Sequence, residues 1–506
     1  MSSATDNCPD PDSCYRALLA RDSRFDGVFF IGVKTTGIYC RPVCAVRAPR
    51  RTSCLFFSSA AAAEAAGFRP CLRCRPELAP YALQQNLAFA VWQRIAAGAL
   101  NEGGDSDAEA GGALERLALE VGLSSRQVRR VLLRHFGVTP VELAQTQRLL
   151  FAKKLLQETS LPMPEVAFAA GFRSVRRFNA LFASRYRMAP GALRRAGLDD
   201  AAGGALTLRL AYRPPYAWDQ MMRYLATRAI PGVEAIQQDA DGLHYVRSVR
   251  LGGVEGWLRV SHLPERRQVR LEAAASLAPL LMPLAARVRS QFDLDANPAA
   301  IEAHLAHDDL LLAAIRHAPG LRVPGAFEPF QLAVRAVLGQ QVSVAGATTL
   351  AGRLALRFGQ PASTPYAGAS LHFPAPAELA VIPVDAVAQI GLPRARAATV
   401  IELARFAAGD GLRFTPGASL GDAVARMKTV PGIGEWTAQY IALRALRFPD
   451  AFPAGDLGLQ KAASGIPGGR LDERSLQARA AAWAPWRAYA ALLLWHGSGP
   501  ILEDAQ

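Results

Sequence analysis

Four cysteines constrain this chain more than any other feature. The stretches TTGIYCRPVC (residues 35–44) and GFRPCLRC (67–74) set out Cys40-x3-Cys44 and Cys71-x2-Cys74, with 26 residues between the pairs. Two close thiol pairs joined by a short sheet-sized segment can put four soft ligands around one tetrahedral Zn2+. Seven cysteines in all make an odd number, and Cys8, Cys14 and Cys54 remain as ordinary free thiols. A metal pattern rather than a disulfide framework points to a reducing compartment. An arginine or proline stands beside almost every ligand, which a purely structural metal does not require. Arg41, Arg47, Arg69 and Arg73 lie within three residues of a ligand, with Lys34, Thr35 and Thr36 just upstream. Guanidinium and hydroxyl groups of this kind grip phosphate oxygens.

The rest of the chain cannot be one core. At 506 residues and 51% apolar content it has material for about three domains. It holds no apolar run long enough to span a bilayer. The opening MSSATDNCPDPDSC carries acids and no apolar stretch, so no secretion signal is expected. Residues 97–113, rich in Gly, Asp and Glu, read as a flexible linker, and DDAAGG (199–204) as a shorter one. The expected units are 1–80, a linker over 81–112, 113–197, 205–280 and 281–500. The formal charge of +14 is concentrated: residues 114–196 hold fifteen Lys/Arg against five Asp/Glu. That density implies a polyanion partner, most simply DNA.

Within the basic segment, residues 113–137 read as helix, turn at Gly122, then an arginine-dense helix. Residues 163–187 repeat the plan about Gly171, and a helix over 141–157 joins the two. Val128, Val131, Leu132 and Phe136 recur at core-facing spacing, which turns Arg126, Arg129, Arg130 and Arg134 off that stripe. This is tandem helix-turn-helix logic, with the second helix of each unit offered to a major groove. The candidates for DNA contact are Arg126, Arg129, Arg173, Arg176 and Arg177.

After residue 205 the pattern alternates in LTLRLAY, LHYVRSVRL, GWLRVSHL and RQVRLEAAA, predicting a small antiparallel sheet. Beyond about residue 280 it becomes helical. VPGIGEWTAQY (430–440) predicts helix, tight hairpin, helix, in which Gly432 and Gly434 let backbone N–H groups approach a DNA phosphate. Asp456 lies 22 residues past Gly434, in FPAGDLGLQK. The predicted fold class is multidomain α+β: a small zinc-bound α/β module, an all-α tandem helix-turn-helix module, and a sheet domain followed by an all-α helix-hairpin-helix bundle.

Three resemblances sharpen these readings. Residues 10–80, through FFIGVKTTGIYCRPVCAVRAPR and AAAEAAGFRPCLRCRPEL, resemble the N-terminal domain of the Ada methyl-phosphotriester repair proteins. That resemblance implies one Zn2+ on Cys40, Cys44, Cys71 and Cys74, methyl transfer from a DNA phosphate to Cys40, and backbone contacts from Thr36, Arg47, Arg69 and Arg73. The basic module, through GFRSVRRF (171–178), resembles AraC-type regulators. Residues 206–500, through YRPPYAWDQMM, AVLGQQVSVAGA, GIGEWTAQYIALR and WAPWRAYAALLLWH, resemble AlkA, the 3-methyladenine DNA glycosylase II of the helix-hairpin-helix class. This implies Asp456 as the catalytic carboxylate and a base cleft lined by Trp436, Tyr440, Trp495, Trp218 and Tyr224. Gln340 and Gln341 would stand at the substrate, and carbonyls near Lys428, Val430 and Ile433 leave room for a monovalent cation.

The chain also departs from its likenesses. Ada proteins usually end in a Pro-Cys-His-Arg methyltransferase, and no cysteine follows Cys74 here. Glu435 and Trp436 stand where strand-cutting relatives carry a Schiff-base lysine, so the reaction should stop at the abasic site. Gln341 replaces the leucine often used as a wedge, Leu457 stands where an aromatic can follow the catalytic Asp, and His496 replaces another aromatic. The combined expectation is a bifunctional alkylation-response protein of the bacterial cytoplasm and nucleoid. It would bind damaged and promoter duplex DNA, contact RNA polymerase as an activator, and act as a monofunctional glycosylase and stoichiometric methyl acceptor. The rivals are a regulator whose glycosylase-like unit only binds DNA, and a zinc module that is a passive clamp.

Overall fold

The computed structural model describes residues 10–79, 87–101, 111–194, 205–413, 419–466 and 468–497. Cys8, the DDAAGG segment and residues 498–500 lie outside these, as do residues 81–86 and 102–110 of the segment expected to be linker.

The first unit opens with helix α1 (Pro11–Leu19), whose N-cap Asp10 accepts from the backbone N–H of Asp12 and Ser13. A four-stranded sheet follows: β1 (Phe30–Val33), β2 (Ile38–Cys40), β3 (Cys54–Phe57) and β4 (Arg69–Pro70), in the order β3-β1-β2-β4. The β1–β2 and β1–β3 pairs are antiparallel, whereas β2 and β4 run parallel across helix α2 (Ala60–Ala65). That parallel pairing decides the metal site, because Cys40 ends β2 and Cys71 directly follows β4. The Cys71 N–H donates to the Tyr39 carbonyl at 3.0 Å. Cys14 and Cys54 are buried, and the Cys54 thiol donates to the Arg50 carbonyl at 3.4 Å.

Helix α3 (Leu87–Ala96) occupies part of the segment expected to be linker. Its Ala88, Phe89, Val91, Trp92 and Ile95 are buried in one cluster with Leu114, Leu117, Val128 and Leu132. The apolar run LAFAVWQRIA outweighs the Gly/Asp-rich composition further along, which had coloured the whole segment. Two helix-turn-helix units then stand on either side of a long helix: α4 (Gly111–Glu120) with α5 (Ser125–Phe136), α6 (Pro140–Glu158), and α7 (Met163–Ala169) with α8 (Val175–Tyr186). Capping boxes start α5 at Ser124/Gln127 and α6 at Thr139/Glu142, satisfying donors that a helix start leaves open. Val128, Leu132 and Phe136 are buried as expected, and Val131 is half-buried. Gly171 has φ +87°, and a Cβ there would strike the Asn101 side chain at 2.3 Å.

A five-stranded antiparallel sheet comes next, in the order β5-β9-β8-β7-β6: β5 (Leu206–Ala211), β6 (Glu234–Asp239), β7 (Gly242–Leu251), β8 (Val254–Leu263) and β9 (Gln268–Ala273). Four of these are the predicted strands. The fifth, β6, was invisible because EAIQQD is an edge strand with no fully buried residue and hence no alternation. Helix α9 (Trp218–Ala226) lies between β5 and β6, and a helical bundle follows from Leu281. In it, Leu420–Met427, a turn over 428–434 and Glu435–Arg444 make the helix-hairpin-helix.

The units are packed together rather than strung apart. One apolar core runs from Leu149, Phe178 and Phe182 of the second helix-turn-helix unit through the sheet into the bundle. Buried ion pairs knit the zinc module to α6 and to β5. Lys153 Nζ donates to the Cys71 carbonyl at 3.1 Å and to Glu77 Oε2 at 2.7 Å. Arg75 bridges Glu77 (2.9 Å) and Glu158 (2.6 Å), and Glu158 accepts from the Arg209 N–H at 2.9 Å. Burial pushes the Glu77 carboxyl up, but Lys153 and Arg75 outweigh it and hold it below its ordinary range. A second tie joins Arg213, which donates to the Asp26 carbonyl at 2.6 Å and to the Asp295 carbonyl at 2.6 Å. No helix among the described residues is long and apolar enough to cross a membrane.

Candidate functional site

Two sites carry chemistry. In the first, the sulfurs of Cys40, Cys44, Cys71 and Cys74 all lie within 4.8 Å of one another. Tetrahedral Zn–S bonds of about 2.3 Å place sulfurs roughly 3.8 Å apart, so the four thiols fit one Zn2+ with a small contraction. Mutual hydrogen bonding divides the thiols, with Cys40 driven up through Cys44 first and Cys71 driven down through Cys40 first. A divalent cation resolves that conflict by taking all four as thiolates. The Arg41 N–H approaches Cys74 Sγ at 3.4 Å, and its guanidinium donates to the Cys74 carbonyl at 3.1 Å and to Asp26 Oδ1 at 2.8 Å. Arg41 is therefore a buttress of the metal site. Thr36, Arg47 and Arg73 are exposed around it, and Arg69 is half-buried with its N–H bonded to the Gly37 carbonyl at 2.9 Å.

In the basic module Arg126, Arg173, Arg176 and Arg177 are exposed and Arg129 is half-buried. All five sit at or next to the starts of α5 and α8.

The second site centres on Asp456. Asp456 is the N-cap of the helix Leu457–Ala462, and its side-chain Oδ1 accepts the Leu459 N–H at 3.0 Å. Two indoles complete its partners: Trp436 Nε1 donates to Oδ2 at 3.0 Å and Trp495 Nε1 to Oδ1 at 3.1 Å. Gly458 leaves room for this arrangement, since a Cβ there would sit 3.0 Å from Asp456 Oδ1. Trp436 stacks with Tyr440 (centroids 5.5 Å, 14° between planes), and Trp495 meets Tyr440 edge-on at 6.3 Å. The structure thus gathers three residues of the expected ring set around the carboxylate. Beside Trp495 opens a cleft of about 380 Å³ lined by Met221, Tyr224, Leu321, Arg322, Leu492 and His496. His496 lines it through its half-buried ring, which burial first of all pushes down toward the neutral form, and its Nε2 has no hydrogen-bond partner.

Trp218 corrects the expectation. It is buried away from this cleft, stacked on His262 (5.2 Å, 21°), with Nε1 donating to the Leu243 carbonyl at 2.9 Å. Helix α9 turns this indole toward the sheet and gives the cleft Met221 and Tyr224 instead, a choice of helix face that spacing alone does not reveal.

The hairpin is braced from the side. Gln340 Nε2 donates to the Gly432 carbonyl and to Thr437 Oγ1, both at 3.0 Å. Gly432 has φ +87°, and a Cβ there would lie 2.0 Å from Thr399 Oγ1, whereas Gly434 faces open space. Lys428 pairs with Glu435 across the turn at 2.9 Å, and the Val430 carbonyl accepts the Ile433 N–H at 3.1 Å. Gln341 stands exposed at φ +56° between Gln340 and the exposed Val342.

Sequence reasoning missed a polar group behind the rings. Arg444, buried, donates to the Tyr440 hydroxyl at 2.9 Å and to the Pro324 carbonyl at 2.8 Å. Arg228 lies 3.8 Å over the Tyr224 ring, and Arg335 donates to the Arg228 carbonyl at 2.9 Å. The Arg444 guanidinium lies 5.0 Å from the Tyr224 ring and 5.7 Å from the Tyr440 ring, between the two phenols. Arginines spread over 228, 335 and 444 give no local signal.

Fold and site together define a zinc-thiolate module and a tandem helix-turn-helix unit joined to a helix-hairpin-helix DNA glycosylase. Family models agree: the metal-binding domain of Ada matches residues 13–77 and a helix-turn-helix domain 117–196. The AlkA N-terminal domain matches 207–328, and the HhH-GPD superfamily base excision DNA repair protein matches 334–488. The chain is 38% identical over 497 residues, 96% of each chain, to the probable bifunctional transcriptional activator/DNA repair enzyme AlkA of Mycobacterium tuberculosis H37Rv. It therefore belongs to the family of bifunctional transcriptional activator/DNA repair enzymes of the Ada–AlkA type. It is also 34% identical to DNA-3-methyladenine glycosylase 2 of Escherichia coli K12, over 58% of this chain and 99% of that one. The fold resembles that of a 3-methyladenine DNA-glycosylase from Archaeoglobus fulgidus (TM-score 0.50, 20% identity, 57% of this chain and 96% of that one).

Proposed function

We propose that the chain couples a single-use sensor of methylated DNA phosphates to a monofunctional glycosylase for alkylated purines. Zinc held by Cys40, Cys44, Cys71 and Cys74 keeps the sulfurs as thiolates and holds the module folded. The Cys40 sulfur attacks the methyl carbon of a phosphotriester. An S–CH3 bond forms, the O–CH3 bond breaks with its electron pair, and an ordinary phosphodiester leaves. The four-sulfur site passes from a formal −2 to −1, so repulsion from nearby phosphates falls and DNA affinity rises. Thr36, Arg47, Arg69 and Arg73 hold the DNA backbone at this face. The α5 and α8 arginines read promoter DNA, and RNA polymerase is the partner of the activated form.

At the second site the base is flipped into the cleft. Alkylation at N3 or N7 gives a purine positive charge and makes it a good leaving group. The Asp456 carboxylate stabilises the oxocarbenium-like sugar and orients or deprotonates water at C1′. Trp436, Tyr440 and Trp495 attract a cationic base, at ~0.5–2 kcal/mol per ring. Gly432 and Gly434 set the hairpin N–H groups on a phosphate, with Gln340 as their brace, and a monovalent cation sits on the hairpin carbonyls. Gln341, with Val342 beside it, fills the gap left by the base. The bacterial cytoplasm and nucleoid are the fitting location.

The observation that carries this reading is the carboxylate held between two indole N–H groups, one of them from Trp495, which lines the adjoining cleft. Base release from methylated duplex tests it: the full chain should release methylated purines, and Asp456→Asn should lose about 100- to 10,000-fold. Release by neither protein would leave a regulator whose rear unit only binds DNA, and equal release by both would remove Asp456 as the catalytic carboxylate. Mass spectrometry of the Cys40 peptide after exposure to methylated DNA tests the sensor, since an unmodified peptide leaves only a passive clamp.

A further inference from the structure

We propose that Arg444, with Arg228 and Arg335, holds Tyr440 as a phenolate between Trp436 and the cleft residue Trp495, so that the site selects positively charged bases over neutral ones. The inference deepens the glycosylase reading and rests on it for its substrate.

The argument begins with a conflict of charge. Three guanidiniums converge behind the rings, and none of them has a carboxylate within ion-pairing distance among the described residues. Arg444 is spent on the Pro324 carbonyl and the Tyr440 hydroxyl. Arg335 uses the Arg228 carbonyl and Thr348 Oγ1, and Arg228 uses the Tyr224 carbonyl and Thr227 Oγ1. Glu234, the carboxylate that acts on Arg444 from the sheet side, is taken by Tyr245 and Arg247. Buried cations without counter-ions are costly, and beside a cleft that must admit a cation they also repel the substrate. An anion at Tyr440 relieves both problems at once.

The geometry selects that hydroxyl. It receives Arg444 Nη1 at 2.9 Å, and the neighbouring Tyr224 ring lies 3.8 Å beneath Arg228 and 5.0 Å from Arg444. Burial pushes the Tyr440 hydroxyl up, but Arg444, then Arg228 and Arg335, together with the hydrogen bond from Arg444, outweigh it and bring it down. Burial pushes Tyr224 up, so Tyr224 stays a neutral phenol. The remaining charged or titratable groups near the ring are Asp456, reached through Trp436 and Trp495, His496 past Trp495, which burial favours as neutral, and the cleft residue Arg322, which is held on the Asp293 carbonyl and over the Tyr216 ring. Tyr440 presents its half-buried ring alongside Trp436. A phenolate ring there is richer in electrons than a phenol and carries a net charge opposite to that of an alkylated purine. Tyr440 is thus the specificity residue, and Arg444 is a positioning residue acting through it.

Two readouts test this on the full-length protein. The first is the near-ultraviolet phenolate absorbance, titrated with pH for wild type, Tyr440→Phe, Arg444→Met and Arg444→Lys. Wild type should gain one phenolate between about pH 6 and 8 that Tyr440→Phe lacks; Arg444→Met should move it up and Arg444→Lys restore much of it. The second is the ratio of single-turnover release of 7-methylguanine, a cationic base, to release of neutral hypoxanthine from otherwise identical duplexes. Any effect on the step common to both bases cancels in the ratio. The ratio should rise about tenfold across that pH window in wild type and stay flat in Tyr440→Phe and Arg444→Met. A melting curve for each variant separates loss of charge from loss of fold. No phenolate below about pH 9, or a flat wild-type ratio, overturns the proposal even if both bases are released. Release of neither base while the phenolate titrates overturns the glycosylase reading and leaves the anion standing.

Discussion

The zinc module and the surroundings of Asp456 are built by opposite means. The partners of Cys40 come from one short stretch of chain and are sulfur or buried charge: Cys44, Cys71, Cys74, Arg41 and Asp26. The partners of Asp456 come from separate helices and are rings and N–H donors: Trp436, Trp495 and the Leu459 backbone. A sulfur that reacts once can be frozen in place by a metal. A carboxylate that must turn over needs an open cleft beside it, so its neighbours orient it without closing over it. The long helix α6 touches both worlds, with Lys153 on the Cys71 carbonyl and Glu158 on β5.

That contrast can be broken experimentally, beginning with the largest effect. Chelation should remove a structural metal with an apparent contribution on the order of 10–16 kcal/mol and unfold the first module. In calorimetry a zinc-dependent transition should vanish while the apolar glycosylase core keeps its own. A glycosylase transition that fell equally would show that the two regions are one cooperative unit. Lys153→Met leaves Glu77 with only Arg75, and should cost about 3 kcal/mol of module stability in denaturant titration. If base release stayed normal in that variant, α6 would be a joint rather than a lever.

A subtler effect comes from Glu64, buried in α2 with Tyr39 and Thr146 donating to its two oxygens at 3.0 and 2.9 Å. Burial pushes its carboxyl up to about 7 from an ordinary 4.5. The unfolded chain therefore ionises first as pH rises. The stabilisation is full below about pH 4.5, declines to about pH 7 and is level above, on the order of 3 kcal/mol in total. Glu64→Gln should flatten the pH dependence of the module's melting temperature over that window, and a variant that keeps the wild-type slope would refute the assignment. The smallest effect belongs to the cleft. Trp495→Phe keeps a ring but removes an N–H from a carboxylate, worth ~1.5–3 kcal/mol, so base release should fall about ten- to a hundredfold with little change in melting temperature.

The amino-acid order alone determined a good deal. Cysteine spacing defined the metal ligands because two short loops can only fold back on themselves. Periodicity placed α5, α6 and α8, and alternation placed β5, β7, β8 and β9, because burial on one face writes itself directly into the residue pattern. The hairpin was legible from its P-G-x-G turn, whereas Asp456 was singled out only through the resemblance to helix-hairpin-helix glycosylases. Tertiary structure decided the rest. Edge strand β6 buries no full face and so carries no pattern. Helix α3 joined the core of the first helix-turn-helix unit although much of its surroundings read as linker. Trp218 went to the sheet, Gln340 became a strut for Gly432, and Arg228, Arg335 and Arg444 met around two phenols. These outcomes depend on which surfaces of separate elements come to face one another, and no stretch of a single chain encodes that facing by itself.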